Sequence, residues 1–351
     1  MTELPPDPEV GDLDLDVVEL DETSQPVAAR KGGSTTRIVT VVGLVMGLGA
    51  VGFVAKTLVH EWPRVSKEIH HAQKAWLLVA AACAIGAMTS IGWGWRGVMR
   101  VLGVDAPLRR VIPWYYVGEL GKYLPGGVWP VLGRGELARR GGVPRSRAYA
   151  SVAMSLGILY LSAMFVAAAF LPFALSGGGF NASMLVLLAL PVGVVILHHD
   201  VLRWLLAFVS RLTKRDLAFE VPQWKDSLLL VLRYVPTWLL VGTATWAVAR
   251  SLTPNLDYPR VMFATVLSWV AGFLAVPVPS GAGIREAVLY ATSGLDRSKS
   301  VFTAVTARLI FVLVDVVGAA ICAPIVKRMR GGAAVSPIAD PEVGSAATAA
   351  D

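Results

Sequence analysis

Charged side chains interrupt an otherwise apolar sequence near two Pro/Gly-rich breaks and inside the last apolar run. Glu119, Lys122, Arg134 and Glu136 surround the break Pro125-Gly126-Gly127, and Arg285 and Glu286 follow the break at 277–283. Arg308 and Asp315 stand seven residues apart in the final run, so they share one helix face. Arginine presents a planar fork suited to phosphate, and a nearby carboxylate can hold that fork or exchange a proton. Charges at such positions pair with each other or mark a pathway for a polar substrate.

The breaks themselves favour an anion. A helix that begins just after a break directs its free N–H groups and its positive dipole end toward the break. Glycine there lets a head group approach the backbone closely. The sequence therefore predicts a substrate-binding set of ten residues: Gly126, Gly127, Arg134, Glu136, Gly281, Gly283, Arg285, Glu286, Arg308 and Asp315.

Two plainer interpretations of this set stay open on the sequence alone. The glycines would then only make sharp turns, and the charged residues would only form structural ion pairs that tie the broken segments to their neighbours. No motif for a catalytic triad, a P-loop or a metal site is present in the sequence, and no cofactor is expected.

The composition requires a membrane protein. Of 351 residues, 55% are hydrophobic and only 16% are charged, whereas soluble domains carry about 25% charged residues. This excludes a soluble enzyme or a disordered regulator as the whole molecule. The net charge of +7 includes an acidic segment at 1–22, so the remainder is strongly basic. We assign that excess to basic loops at the cytoplasmic ends of membrane helices and not to nucleic-acid binding.

Six apolar segments are long enough to cross a bilayer, at about 20 residues each. They are 38–55, 75–95, two within 148–199, 228–249 and 300–326. The broken segments 111–140 and 261–295 are predicted to enter the membrane and return. The sequence thus predicts an all-α polytopic membrane protein with about six transmembrane helices and two re-entrant helical hairpins. The predicted domains are a disordered acidic tail at 1–36, a membrane domain at 37–330 and a disordered tail at 331–351.

The hairpins belong to an internal repeat. A span, a hairpin and a span occur at 75–97, 108–140 and 148–175, and again in the same order in the second half of the chain, at 228–250, 260–295 and 300–326. We expect the protein to lie in the inner or plasma membrane of the cell. The distribution of Lys and Arg then predicts that both termini are cytoplasmic. With that orientation the first hairpin enters from inside and the second from outside, which is an inverted-topology repeat.

Two stretches carry a resemblance to a known family. YLPGGVWPVLGRGELARR and, downstream, PVPSGAGIREA, followed by a basic residue in the final span, resemble the flippase-like transmembrane domain of lysylphosphatidylglycerol synthases, over roughly residues 40–327. The residues that match the motifs are Pro125, Gly126, Gly127, Gly135, Glu136, Pro279, Gly281, Gly283, Arg285, Glu286 and Arg308. In the bifunctional members, the resemblance implies movement of an aminoacylated phospholipid between leaflets. Related archaeal proteins are linked to polyprenyl-phosphate sugar transfer.

The chain also departs from the family pattern. Relatives often carry a charged pair where this sequence has Ser155-Leu156. We expect no soluble aminoacyl-transfer domain after the last span. We expect a lipid flippase-like protein, and not an enzyme, whose partner is an anionic phospho- or polyprenyl-phosphate lipid. A polyprenyl-phosphate-sugar transferase with Glu136 or Glu286 as base stays open. A non-transporting accessory subunit that contacts cell-envelope biosynthesis enzymes also stays open. The sequence leaves open whether the protein forms a homo-oligomer.

Overall fold

The computed structural model describes residues 70–123, 128–174, 224–274 and 283–329, together with the single residues 59 and 66. These parts of the chain are helical and contain no strand. The helices are α1 (Lys74–Val101), α2 (Leu108–Glu119), α3 (Trp129–Arg140), α4 (Arg145–Ala174), α5 (Trp224–Arg250), α6 (Tyr258–Leu274), α7 (Ile284–Ser293) and α8 (Arg297–Met329), with a 3-10 turn at Leu120–Tyr123. The predicted span 38–55, the second half of 148–199 and both predicted tails lie outside the described residues.

Four helices are long and apolar enough to cross a membrane: α1, α4, the Leu228–Arg250 part of α5, and α8. They confirm the four predicted spans that fall within the described residues. Helices α2 and α3 have only 12 residues each, or about 18 Å at 1.5 Å per residue. That is too short for a hydrocarbon core of about 30 Å. The first broken segment therefore forms two short helices on either side of its break, as predicted, and the second does the same with α6 and α7.

Helices α1 and α5 pack closely and antiparallel. The N–H of Gln73 donates to the carbonyl of Ser251 at one end of the pair (3.1 Å), and the hydroxyls of Ser90 and Thr237 hydrogen-bond near the middle (2.6 Å). Toward the other end, the ring of Tyr234 occupies the space beside Gly94. Small residues on α1 allow this close approach. Such residues are common at helix interfaces in membranes, because helices in lipid associate through close packing and not through the hydrophobic effect.

The two halves of the structure repeat each other's contacts. Helix α2 packs on α8, the last helix of the second half, and α6 packs on α4, the last helix of the first half. Within each half the hairpin limbs pack on each other, and the second limb packs on the following long helix. Because the equivalent helices α1 and α5 run antiparallel, the two-fold axis relating the halves is perpendicular to them. This is the geometry of the predicted inverted-topology repeat.

Buried hydrogen bonds fix α4 between the other long helices. The indole of Trp95 on α1 donates to the hydroxyl of Ser151 (3.0 Å), and the indole of Trp238 on α5 donates to the carbonyl of Leu159 (2.7 Å). Ser155 is fully buried and hydrogen-bonds the hydroxyl of Tyr234 (2.7 Å). Polar groups are satisfied between helices here, which apolar surroundings require.

Candidate functional site: a cavity between the two hairpins

A cavity of about 450 Å³ lies between the two hairpins and the long helices. Its volume is within the range of small-molecule sites. Val128, the described residue that follows the first break, and Leu274, the one that precedes the second, both line its wall. Six of its lining residues carry charge: Glu119, Lys122, Arg134, Arg285, Glu286 and Arg308.

Glycines let the limbs of each hairpin touch. A Cβ on Gly118 would lie 2.6 Å from Cγ of Arg134 and 2.7 Å from its backbone nitrogen. A Cβ on Gly272 would lie 2.5 Å from Nε and 2.6 Å from Cγ of Arg285. Each hairpin thus places an arginine of its second limb directly over a glycine of its first limb.

Arg134 is committed to an internal partner. Its side chain is buried, with 2% of the residue exposed, and its Nη2 donates to Oε2 of Glu119 (2.5 Å). Its guanidinium also lies over the ring of Tyr115, 5.1 Å from the centroid. Its Nε and Nη1 are buried without a hydrogen-bond partner among the described residues. The charge of Arg134 is therefore neutralised, while part of its donor capacity is unused.

Lys122 joins this pair to the last helix. Its ammonium lies 3.3 Å from Oε1 of Glu119 and 2.6 Å from Oδ2 of Asp315. The hydroxyl of Tyr123 donates to the same Asp315 oxygen (2.6 Å). Glu119, Lys122, Arg134 and Asp315 thus form an electrically neutral group, which we call the four-charge network. It ties the end of α2 to α8.

A second ion pair connects the other hairpin to α8. Nη1 of Arg308 donates to Oε1 of Glu286 (3.3 Å). Arg308 and Asp315 therefore share a helix face, as predicted, but each binds a different hairpin. Both residues therefore form the ion pairs that the plainer interpretation predicted.

Arg285 differs from every other cation of the cavity wall. Among the described residues no carboxylate lies within ion-pairing distance of it, and its buried Nε has no hydrogen-bond partner. Its guanidinium lies over the ring of Trp269, 4.2 Å from the centroid. It is also the second residue of α7, where a cation is next to the positive end of the helix dipole. An anion in the cavity would relieve both conditions.

The predicted glycines divide between described and undescribed residues. Gly126, Gly127 and Gly281 lie outside the described residues. Gly283 immediately precedes α7 with a φ of 83°, a conformation that any L side chain would strain. Its role in starting the half-helix is therefore a conformational one.

Glu136 is not brought to the cavity. Its carboxylate accepts hydrogen bonds from Arg139 (2.7 Å) and Arg140 (2.7 Å) on its own helix. The hydrogen bonds from Arg139, and then the one from Arg140, lower the pKa of Glu136 to about 2. A carboxylate with so low a pKa is a poor proton acceptor at neutral pH. The structure thus gives Glu136 a surface role at the end of α3.

The sequence pattern did not identify Tyr115 and Trp269, the aromatic residues over which the two guanidinium groups lie. Tyr115 stands three residues before Gly118, and Trp269 stands three residues before Gly272. This shared spacing is the signal that could have found them, because it marks equivalent positions on the first limbs of the two hairpins. Tyr160 and Phe273, which stack with centroids 3.8 Å apart, also line the cavity.

The family described as Lysylphosphatidylglycerol synthase TM region matches residues 38–322. The chain belongs to this family. The match covers most of the chain and both hairpins, and it makes the protein a membrane protein of a lipid-related family. A comparison with proteins of curated function finds no match.

Proposed function

We propose that this member of the lysylphosphatidylglycerol synthase membrane family binds a lipid with an anionic head group and moves that lipid between leaflets. The observation that carries the proposal is Arg285, a cation with a buried, unpartnered Nε in the wall of a cavity between two hairpins. A phosphate oxygen could accept hydrogen bonds from its fork and from the first N–H groups of α7.

The cavity suits a head group and not a whole lipid. Its volume of about 450 Å³ is smaller than a two-chain lipid, so the acyl chains would stay in the membrane outside it. Exposed apolar side chains mark the cavity edge, among them Val128, Phe273 and Leu274. Such residues are compatible with the acyl chains of a bound lipid.

The repeat supports movement between leaflets. In transporters with inverted repeats, the two halves exchange conformations around a central site, and that exchange exposes the site to each side in turn. Here the cavity lies between the two hairpins, and each hairpin packs against a long helix of the other half through its first limb. A small rotation of one half against the other would change which side of the cavity is open.

The experiment uses vesicles that contain the purified full-length protein and fluorescent phosphatidylglycerol, with a membrane-impermeant quencher added outside. Arg285→Ala should slow transfer about tenfold or more, because a charge-assisted hydrogen bond contributes roughly 1.5–3 kcal/mol. Arg285→Lys keeps the charge but loses the planar fork, so it should also slow transfer, though less than Ala.

The control is Arg233→Ala, because Arg233 also lies over an indole, 3.7 Å from the Trp93 centroid, yet does not line the cavity. It should transfer lipid at the wild-type rate. Wild-type transfer by Arg285→Ala, at equal amounts of folded protein, would refute the proposal. Chemical conversion of the labelled lipid would instead favour the transferase.

A further inference from the structure

The two hairpins present equivalent arginine sites, and one of them is closed by the protein itself. Arg134 lies over Tyr115 and beside Gly118, and Arg285 lies over Trp269 and beside Gly272. The residue that follows each glycine distinguishes the two sites. In the first hairpin it is Glu119, which pairs with Arg134.

In the second hairpin the equivalent position is Phe273. Phe273 stacks on Tyr160 and offers Arg285 no charge. The repeat thus has a built-in carboxylate at one of its two arginine sites and none at the other. The carboxylate of Glu119 marks the position that an anion occupies beside the arginine of the first hairpin. At the equivalent position of the second hairpin, Arg285 has no anionic side chain.

The charged groups around the cavity in the described parts of the chain, four cationic and three anionic, have a net charge of one positive unit. Among the described residues, the cationic groups that line it are Lys122, Arg134, Arg285 and Arg308, and the anionic groups that line it or pair with them are Glu119, Glu286 and Asp315. The two breaks, residues 124–127 and 275–282, contain no ionisable side chain. One more negative charge makes the group neutral.

Building on the function proposed above, we infer that the site accepts a head group with one negative charge, a phosphodiester, and discriminates against phosphate monoesters and diphosphates. A second negative charge would need a second cation. Arg134 is the nearest equivalent, but using it would leave the buried Glu119 beside an anion with only Lys122 as a partner among the described residues. A buried charge that loses a partner is unfavourable.

The test compares lipids that differ by one methyl group. Dioleoyl phosphatidylmethanol is a diester with one negative charge, and dioleoyl phosphatidic acid is a monoester that carries closer to two at pH 8. Dioleoylglycerol, which has the same acyl chains and no phosphate, measures the contribution of the acyl chains. The full-length protein in neutral detergent should bind the diester about tenfold more tightly than the monoester.

Two substitutions change the count of charges in opposite directions. Glu119→Gln releases Arg134 and adds one positive charge, so it should remove or reverse the preference for the diester. Phe273→Glu places a carboxylate at the equivalent position of the second hairpin, so it should close the Arg285 site. Its affinity for phosphatidylmethanol should fall about tenfold below that of Phe273→Gln, which removes the ring without adding charge.

The outcomes separate this inference from the proposed function. Wild-type protein that binds phosphatidic acid as tightly as phosphatidylmethanol would overturn the single-charge rule while keeping an anionic-lipid site. An unchanged preference in Glu119→Gln would do the same, and equal affinities in Phe273→Glu and Phe273→Gln would refute the equivalence of the two sites. Binding of dioleoylglycerol as tight as that of both anionic lipids would refute the anion site itself.

Discussion

Replacing the interlimb glycine by alanine should lower stability in the first hairpin and lower lipid affinity in the second. Gly118→Ala places a methyl group against the backbone of Arg134, 2.7 Å from its nitrogen and 2.9 Å from its Cα. That backbone cannot move unless the two limbs separate. Gly272→Ala meets only the side chain of Arg285, at its Nε, Cγ and Cδ. That side chain can rotate away, but it then leaves its position in the cavity wall.

The magnitudes follow from these neighbours. Replacing glycine by alanine within a helix stabilises it by about 1 kcal/mol, and overpacking costs about 1–3 kcal/mol. Contact with backbone belongs at the upper end of that range, so Gly118→Ala should lose about 2 kcal/mol, or roughly 3 °C in Tm for a chain of this length. Gly272→Ala should change Tm little, because the helix gain offsets the rotation of Arg285. Its affinity for phosphatidylglycerol should fall about tenfold or more, since displacement by about 1 Å is enough to disrupt a positioned contact.

Thermal unfolding in detergent, followed by tryptophan fluorescence, and phosphatidylglycerol binding per folded molecule would measure both effects. Gly157→Ala is the control, because a Cβ at that helical position meets no atom within 4 Å. It should keep wild-type affinity and equal or exceed the wild-type Tm. The reasoning is refuted if Gly272→Ala binds phosphatidylglycerol like wild type, or if Gly118→Ala unfolds at the wild-type temperature.

Two further predictions concern the four-charge network and the orientation of the chain. Asp315→Asn should destabilise the protein by about 1.5–3 kcal/mol, because the partly buried Lys122 then keeps, among the described residues, only Glu119 as an ion-pair partner, and Lys122→Met in the same chain should restore much of the loss. Thermal unfolding measures both variants, and a wild-type Tm in Asp315→Asn would show that the network contributes nothing to stability. Cysteines at Gly178 and Asn255 should react with an impermeant reagent outside intact cells, and a cysteine at Thr213 should not. Reaction at Thr213 would reverse the orientation deduced from charge.

The sequence determined the elements of this fold because their signals are local. Four predicted spans correspond to α1, α4, α5 and α8, since a run of apolar residues is sufficient to specify a membrane helix. The break at Pro125-Gly126-Gly127 likewise separates two helices that are too short to span. Even the position of Glu136 could be read locally, because Arg139 and Arg140 follow it at i+3 and i+4 on one helix face.

Only the tertiary structure decided which charges are available to a ligand. Asp315 binds Lys122 and Tyr123 across a large sequence separation, so spacing along the chain gave no sign of the four-charge network. The sequence places an arginine after each break without distinguishing Arg134 from Arg285. Packing of the limbs distinguishes them, because it brings the carboxylate of Glu119 to the guanidinium of Arg134, whereas no carboxylate of the described residues pairs with Arg285, which lies over the ring of Trp269. The physical reason is that ion pairing depends on separation in space, whereas composition and periodicity record only order along the chain.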